Sequence, residues 1–170
     1  MTGVINNGRN TGLFGEEKEA VMDRTEELAA LKEKLPVEEL ISQAFSAMAK
    51  AYTPYSGFQV GAALLTADGV IYQGCNIENA AYTPSNCAER TAFFKAVSEG
   101  VREFQAICIV GGKDGIPSGL TAPCGVCRQV MMEFCDPETF QIILPSGREE
   151  YEIYTLKELL PVGFGPKNLL

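Results

Sequence analysis

The sequence contains no histidine and no tryptophan among its 170 residues. The missing histidine excludes a great deal. No imidazole can ligate a metal, and no Ser-His or Cys-His pair can generate a nucleophile. No apolar run approaches the roughly 20 residues that a membrane-spanning helix needs. Positive charge is scarce as well: 14 Lys and Arg stand against 22 Asp and Glu, a net charge of −8. Such a chain is poorly suited to a nucleic-acid backbone, whose affinity for proteins comes largely from basic side chains. Residues 1–15 hold Asn and Gly where a secretory signal would carry an apolar stretch. Six cysteines without such a signal read as free thiols of a reduced, cytoplasmic protein.

What is present converges on two short stretches, Cys87-Ala88-Glu89-Arg90 and Pro123-Cys124-Gly125-Val126-Cys127-Arg128-Gln129. Cys124 and Cys127 are three residues apart, which on the first turn of a helix puts both sulfurs on one side. Alone, such a pair fits a redox dithiol as well as half of a structural zinc site. Cys87 opens a helix-start pattern of its own and adds a third thiol. Three thiolates leave zinc one open position, which a catalytic zinc needs for its water. Glu89 is then either a fourth ligand that closes the site or a proton carrier beside the open position. A capping role competes with both: Asn86 suits an N-cap, and Glu89 falls at the third helical position of a capping box.

Charge balance gives the arginines a task. Three thiolates and one Zn²⁺ sum to minus one, a weak Lewis acid unless electron density is drawn off the sulfurs. Arg90 and Arg128 are the cations at hand, and each helix N-terminus adds roughly half a positive charge. Arg90 is expected to hydrogen-bond one or more cysteine sulfurs, with Arg128 and Gln129 in the same outer layer.

Along the chain, residues 1–15 read as disordered and 16–35 as a helix rich in Glu, Lys, Ala and Leu. Pro36 reads as the first position of the next helix, with Val37, Leu40, Ile41, Ala44, Phe45 and Met48 at helical spacing. Phe58 to Thr66 and Val70 to about Gly74 form a hairpin around Asp68-Gly69. A helix runs from the first motif to Glu99, stopped by Gly100. Phe104 to Val110 is a strand, and Gly111 to Ala122 a Gly-rich loop. The second motif helix ends before Asp136-Pro137. Two short strands, 141–144 and 151–154, precede a last helix that Thr155 and Glu158 cap. Cys108 lies in an apolar run and reads as packing, and Cys75 and Cys135 also read as structural. Alternating strands and helices predict a three-layer α/β/α domain around a mixed, roughly five-stranded sheet. The expected organisation is an extension over 1–35 and a catalytic domain over 36–170, with both motif helices opening at one end of the sheet.

The two motifs, with Ala51-Tyr52-Thr53-Pro54-Tyr55-Ser56, Phe58-x-Val60-Gly61-Ala62-Ala63 and Gly74-Cys75-Asn76-Ile77-Glu78-Asn79-Ala80, resemble the short, three-cysteine cytidine deaminases from about Pro36 onward. The resemblance implies one Zn²⁺ per chain, held by Cys87, Cys124 and Cys127, with Glu89 as the catalytic proton carrier. It implies hydrolysis of cytidine and 2′-deoxycytidine to uridine and 2′-deoxyuridine with loss of ammonia, a pyrimidine-salvage reaction. Asn76 and Glu78 would bind the ribose and Phe58 would wall the site. The backbone of Ala88 would read the base edge, as would carbonyls near Ala122 and Cys124. The family assembles as homotetramers with shared sites, so Ala80, Tyr82 and Phe164 would be contributed between subunits. The competing readings are a deaminase of another amino-nucleoside or a blasticidin-like amine, a binding module with structural zinc, and a Cys-x-x-Cys oxidoreductase.

Overall fold

The computed structural model describes residues 35–169; the readings of 1–34 as disordered and then helical lie outside them. The elements, in chain order, are α1 (Val37–Met48), β1 (Phe58–Thr66), β2 (Ile71–Cys75), α2 (Ala88–Ser98), β3 (Phe104–Lys113), β4 (Ile116–Pro117), α3 (Gly125–Phe134), β5 (Gln141–Pro145), β6 (Tyr151–Thr155) and α4 (Leu156–Leu159), with a final 3₁₀ turn, Pro166–Asn168. The sheet runs in the order β2-β1-β3-β5-β6, and β4 adds a short flap on β3. It is mixed, as expected: β3 and β5 are parallel and the other pairs antiparallel.

Small residues let the helices approach closely. Gly61 on β1 faces α1, and a Cβ there would overlap the Ala44 carbonyl and the backbone of Met48. Neighbouring residues of a strand point to opposite faces, so Ala62 and its cross-strand partner Gly74 face the other way. On that side Gly74 meets the Ala88 carbonyl and the Ala92 nitrogen of α2. Ala62, Leu64, Ile107, Ile109 and Ile142 pack there with Phe93 of α2, Met131 of α3 and Leu156 of α4. The sheet therefore lies between α1 and a layer of α2, α3 and α4, the three-layer arrangement that the sequence pattern predicts.

Two local expectations change. The Gly-rich stretch after Val110 continues β3 through Lys113, in register with β1 up to Phe58. Its glycines are strand residues because a Cβ at Gly111 would press on Thr121 and Phe58, and one at Gly112 on Ile116 and Pro117. The first motif helix starts one residue later than its capping pattern suggests. Cys87 is its N-cap, with no side-chain cap bond, and the Asn86 amide donates instead to Thr91 Oγ1 at 3.1 Å. Glu89 thus sits at the second helical position and is released from the capping box. The box at the last helix does form, with Thr155 accepting from the Glu158 nitrogen.

Candidate active site

Two crossovers bring the motifs together. α2 carries the chain from β2 towards β3, and α3 joins β3 to its parallel neighbour β5. Both helices open at the same end of the sheet. Cys87 and Cys124 hold equivalent places, each the N-cap of its helix with extended backbone. Their sulfurs lie 3.9 Å apart, and Cys124 Sγ lies 3.6 Å from Cys127 Sγ. Tetrahedral zinc with Zn–S bonds near 2.3 Å spaces its sulfurs about 3.8 Å apart, so this triangle fits the ion. Among the described residues, the donor atoms gathered within 4.8 Å of one another are these three thiols, and Glu89 is not one of them. Glu89 stands within hydrogen-bonding reach of Cys127 without joining the donor cluster, an arrangement that favours an open fourth position over a closed structural site. All six cysteines are free.

Cys87 and Cys127 act strongly on one another. The Cys87 thiol is pulled down to about 5, first by a hydrogen bond from Cys127 and then by Arg90. The Cys127 thiol, which donates to Cys87, is pushed well above its ordinary value. Arg90 behaves as expected: its Nη2 donates to Cys87 Sγ at 3.7 Å and to the Ser85 carbonyl at 3.3 Å. Its buried Nε has no partner, an orphan donor on the thiol side of the site. Arg128 and Gln129 do not share that geometry. Their side chains bond to backbone carbonyls, Arg128 to Pro123 and Leu159, Gln129 to Phe164.

Cys87, Cys124 and Glu89 border a cavity of about 600 Å³, within the roughly 300–1,000 Å³ usual for small-molecule sites. Glu89 is 4% exposed, and burial pushes its carboxyl up to about 7, with the Cys87 charge adding to the push. A carboxyl poised near neutrality can both accept and return a proton. Asn76, Glu78 and Tyr82 line the same cavity. Asn76 is anchored to β1, with Oδ1 accepting from the Val60 nitrogen at 2.7 Å and Nδ2 donating to the Phe58 carbonyl at 2.9 Å. One Glu78 oxygen accepts from the backbone nitrogens of Tyr55 and Ser56, at 2.9 and 3.2 Å. An amide and a carboxylate each keep further hydrogen-bonding capacity.

Phe58, Ala80, Ala88 and Phe164 do not line this cavity. The Phe58 ring lies over Gly111, and Phe164 stands 58% exposed in the tail. Tyr55, Ser56, Ser85 and Thr121 do line it, although no individual role was read for them in the sequence. The Tyr55-Ser56 pair was visible as a motif. Its contribution through main-chain nitrogens, however, leaves no side-chain signature.

The model of the cytidine and deoxycytidylate deaminase zinc-binding region matches residues 36–142. A cytidine deaminase of Sporosarcina psychrophila is 50% identical over 135 residues, 79% of this chain and 96% of that protein. One from Halalkalibacterium halodurans is 48% identical over 131 residues, 76% of this chain and 95% of that protein. Among solved structures, the cytidine deaminase of Burkholderia pseudomallei superposes with a TM-score of 0.70 at 46% identity, covering 76% of this chain and all of that one. With the family's fold, its zinc-binding region and the three-thiol triangle all present, the chain belongs to the cytidine and deoxycytidylate deaminase family.

Proposed function

We propose that this protein hydrolyses the exocyclic amine of cytidine and 2′-deoxycytidine, releasing ammonia and the uracil nucleoside in pyrimidine salvage. The observation that carries the reading is the buried Glu89 carboxyl at the wall of a cavity bordered by Cys87 and Cys124. Cys87, Cys124 and Cys127 would hold one zinc ion. Zinc, when bound, supplies a water acidified to near neutral pH as the nucleophile. Glu89 would accept a proton from that water and pass it to ring N3 as the hydroxyl adds to C4; it would then take the proton of the new C4 hydroxyl and deliver it to the amine, so that the C4–N bond breaks, ammonia leaves and a C4 carbonyl remains. Arg90 stabilises the negative charge on Cys87. Asn76 and Glu78 receive the sugar hydroxyls, with Glu78 fixed by the Tyr55 and Ser56 nitrogens so that its remaining oxygen points to an acceptor's task. Ala88, just behind Cys87 at the start of α2, offers its backbone to the base edge.

The enzyme is proposed to work as a homotetramer in the cytoplasm, where a three-thiolate site stays reduced. Tyr82, 76% exposed with a positive φ of 57°, and Phe164 would complete neighbouring sites, as would Ala80. A blasticidin-like amine is the second reading. The amide and carboxylate pair of Asn76 and Glu78, matched to vicinal hydroxyls, favours a nucleoside over it. Purified, zinc-loaded protein incubated with cytidine should show the ultraviolet change of conversion to uridine. Glu89→Gln should keep its zinc and lose roughly 10²–10⁴-fold in turnover. Undiminished turnover in the zinc-loaded variant would refute the role of Glu89. Zinc at one per chain with no turnover of cytidine by the parent protein would redirect the search to another amine.

A further inference from the structure

The residues that follow the last thiol ligand of the family's zinc site look away from the sulfurs and towards the C-terminus. From Leu159 onward the chain lies along α3 as a strap. The Leu159 carbonyl accepts from Arg128 Nη1 at 2.6 Å, and the Phe164 carbonyl from Gln129 Nε2 at 2.9 Å. Gly165 is buried against Met132, where a Cβ would stand only 3.0 Å from the Met132 side chain. Lys167 reaches Asp136 at 3.6 Å. The start of the strap is fixed from the core, because Leu156 is fully buried and the Thr155–Glu158 capping box sets the turn that presents Leu159.

Arg128 has a second contact that changes what the strap does. Its Nε donates to the Pro123 carbonyl at 2.8 Å. Pro123 is buried and its carbonyl belongs to the peptide that enters Cys124. One planar guanidinium therefore bridges the C-terminal helix to the backbone immediately before a thiol ligand. Nothing else among the described residues donates a side-chain hydrogen bond to either carbonyl.

We propose that Arg128 is a positioning residue that locks the Cys124 backbone to the C-terminal strap, so that zinc retention depends on the strap. The inference rests on the three-thiol zinc site. Two donors that diverge at a fixed angle from one rigid plane can hold two carbonyls in fixed relation, which an ammonium on a flexible stem cannot. Outer partners of metal ligands typically change metal affinity by about 10–100-fold, and Arg128 acts one bond further out, at the low end of that range.

The test is competition for zinc between the full-length holoprotein and a chromophoric chelator, well below the melting temperature, with circular dichroism confirming the fold. Arg128→Ala should release zinc at about tenfold lower chelator concentration than the parent. Arg128→Lys should recover only part of the loss. Thr155→Ala, which loosens the turn that presents Leu159 far from the metal, should shift release in the same direction. A folded Arg128→Ala that holds zinc as the parent does would overturn the proposal. So would full rescue by Lys, since charge rather than the bridge would then be acting. Should Arg128→Ala not fold, unchanged zinc release in both Arg128→Lys and Thr155→Ala would overturn it too. A parent chain that takes up no zinc would overturn the zinc site itself, and the proposal with it.

Discussion

Single side chains in this protein are defined as much by what holds them as by what they offer. Glu78 shows the point. The Ser56 side chain, followed by the Tyr55 and Ser56 nitrogens, holds its carboxyl below the usual carboxylate range. A depressed value means that the folded state favours the ionised form. The contribution is therefore complete above the ordinary value of 4.5 and is lost only as pH falls through the lower folded value. The protection of the Tyr55 and Ser56 amides against hydrogen exchange should accordingly stay level from neutrality to about pH 4.5 and decline only below it. Glu78→Gln, which has no charge to lose, should show weaker protection at neutrality and no such acid step. A step that persisted in Glu78→Gln would assign the loop's stability elsewhere. Asn76 is held in the same manner by β1, which is why its place in the site could be read from the motif but its orientation could not.

At the scale of elements, α2 decides whether the chemistry is in register. It carries Cys87 at its N-cap, Glu89 in its first turn and Phe93 one turn later. Phe93 is fully buried among Phe104, Phe134 and Phe140, with ring centroids at 5.0, 6.1 and 6.1 Å. Those rings come from β3, from the end of α3 and from just before β5, so one side chain ties together the strands and helices that bear the site. Phe93→Ala should cost about 3–5 kcal/mol, read from denaturant unfolding of the zinc-loaded protein. A loss under about 1 kcal/mol would mean that the cluster collapses around the gap.

The elements themselves were largely legible. Regular apolar spacing marked α1, the Asp68-Gly69 turn marked the hairpin, and Thr155 with Glu158 marked α4. Legibility failed at Gly111 and Gly112, where composition argues for a loop while close packing keeps a strand. It failed again at Asn86, where a good capping residue stands one position from the true cap. In the site, thiols and carboxylate could be read because their chemistry is in their side chains. The part of Arg128 could not, because its partners are carbonyls of Pro123 and Leu159 that any residue would present.

For the molecule as a whole, the described fold leaves aromatic side chains without a place. Tyr52, Tyr55, Tyr82 and Phe164 are each more than half exposed, an uncommon surface for a lone subunit. Phe164 is held by its backbone to Gln129 while its ring lies outside the cavity of its own chain. If sites are shared in a tetramer, two defective chains should repair one another. Co-expressed Glu89→Gln and Phe164→Ala chains should form mixed assemblies in which an intact Glu89 meets a neighbour's intact Phe164. Their KM for cytidine should move from the Phe164→Ala value towards the parent's. A KM unchanged from that of Phe164→Ala alone would place Phe164 outside the neighbouring site.

The crossover through α3 also sets an order of events during synthesis. Cys87 belongs to the first part of the sheet, whose strands β1 and β2 are joined by a short hairpin. Its partner thiols arrive 37 and 40 residues later, on a helix whose following strand, β5, must still find its parallel place beside β3. The bridge through Arg128 waits longer still, for Leu159. The three thiols are all made by residue 127, whereas the bridge that steadies the backbone before Cys124 is complete only when Leu159 has followed. Between residues 87 and 124 the nascent protein therefore carries one thiol of the triangle without its two companions.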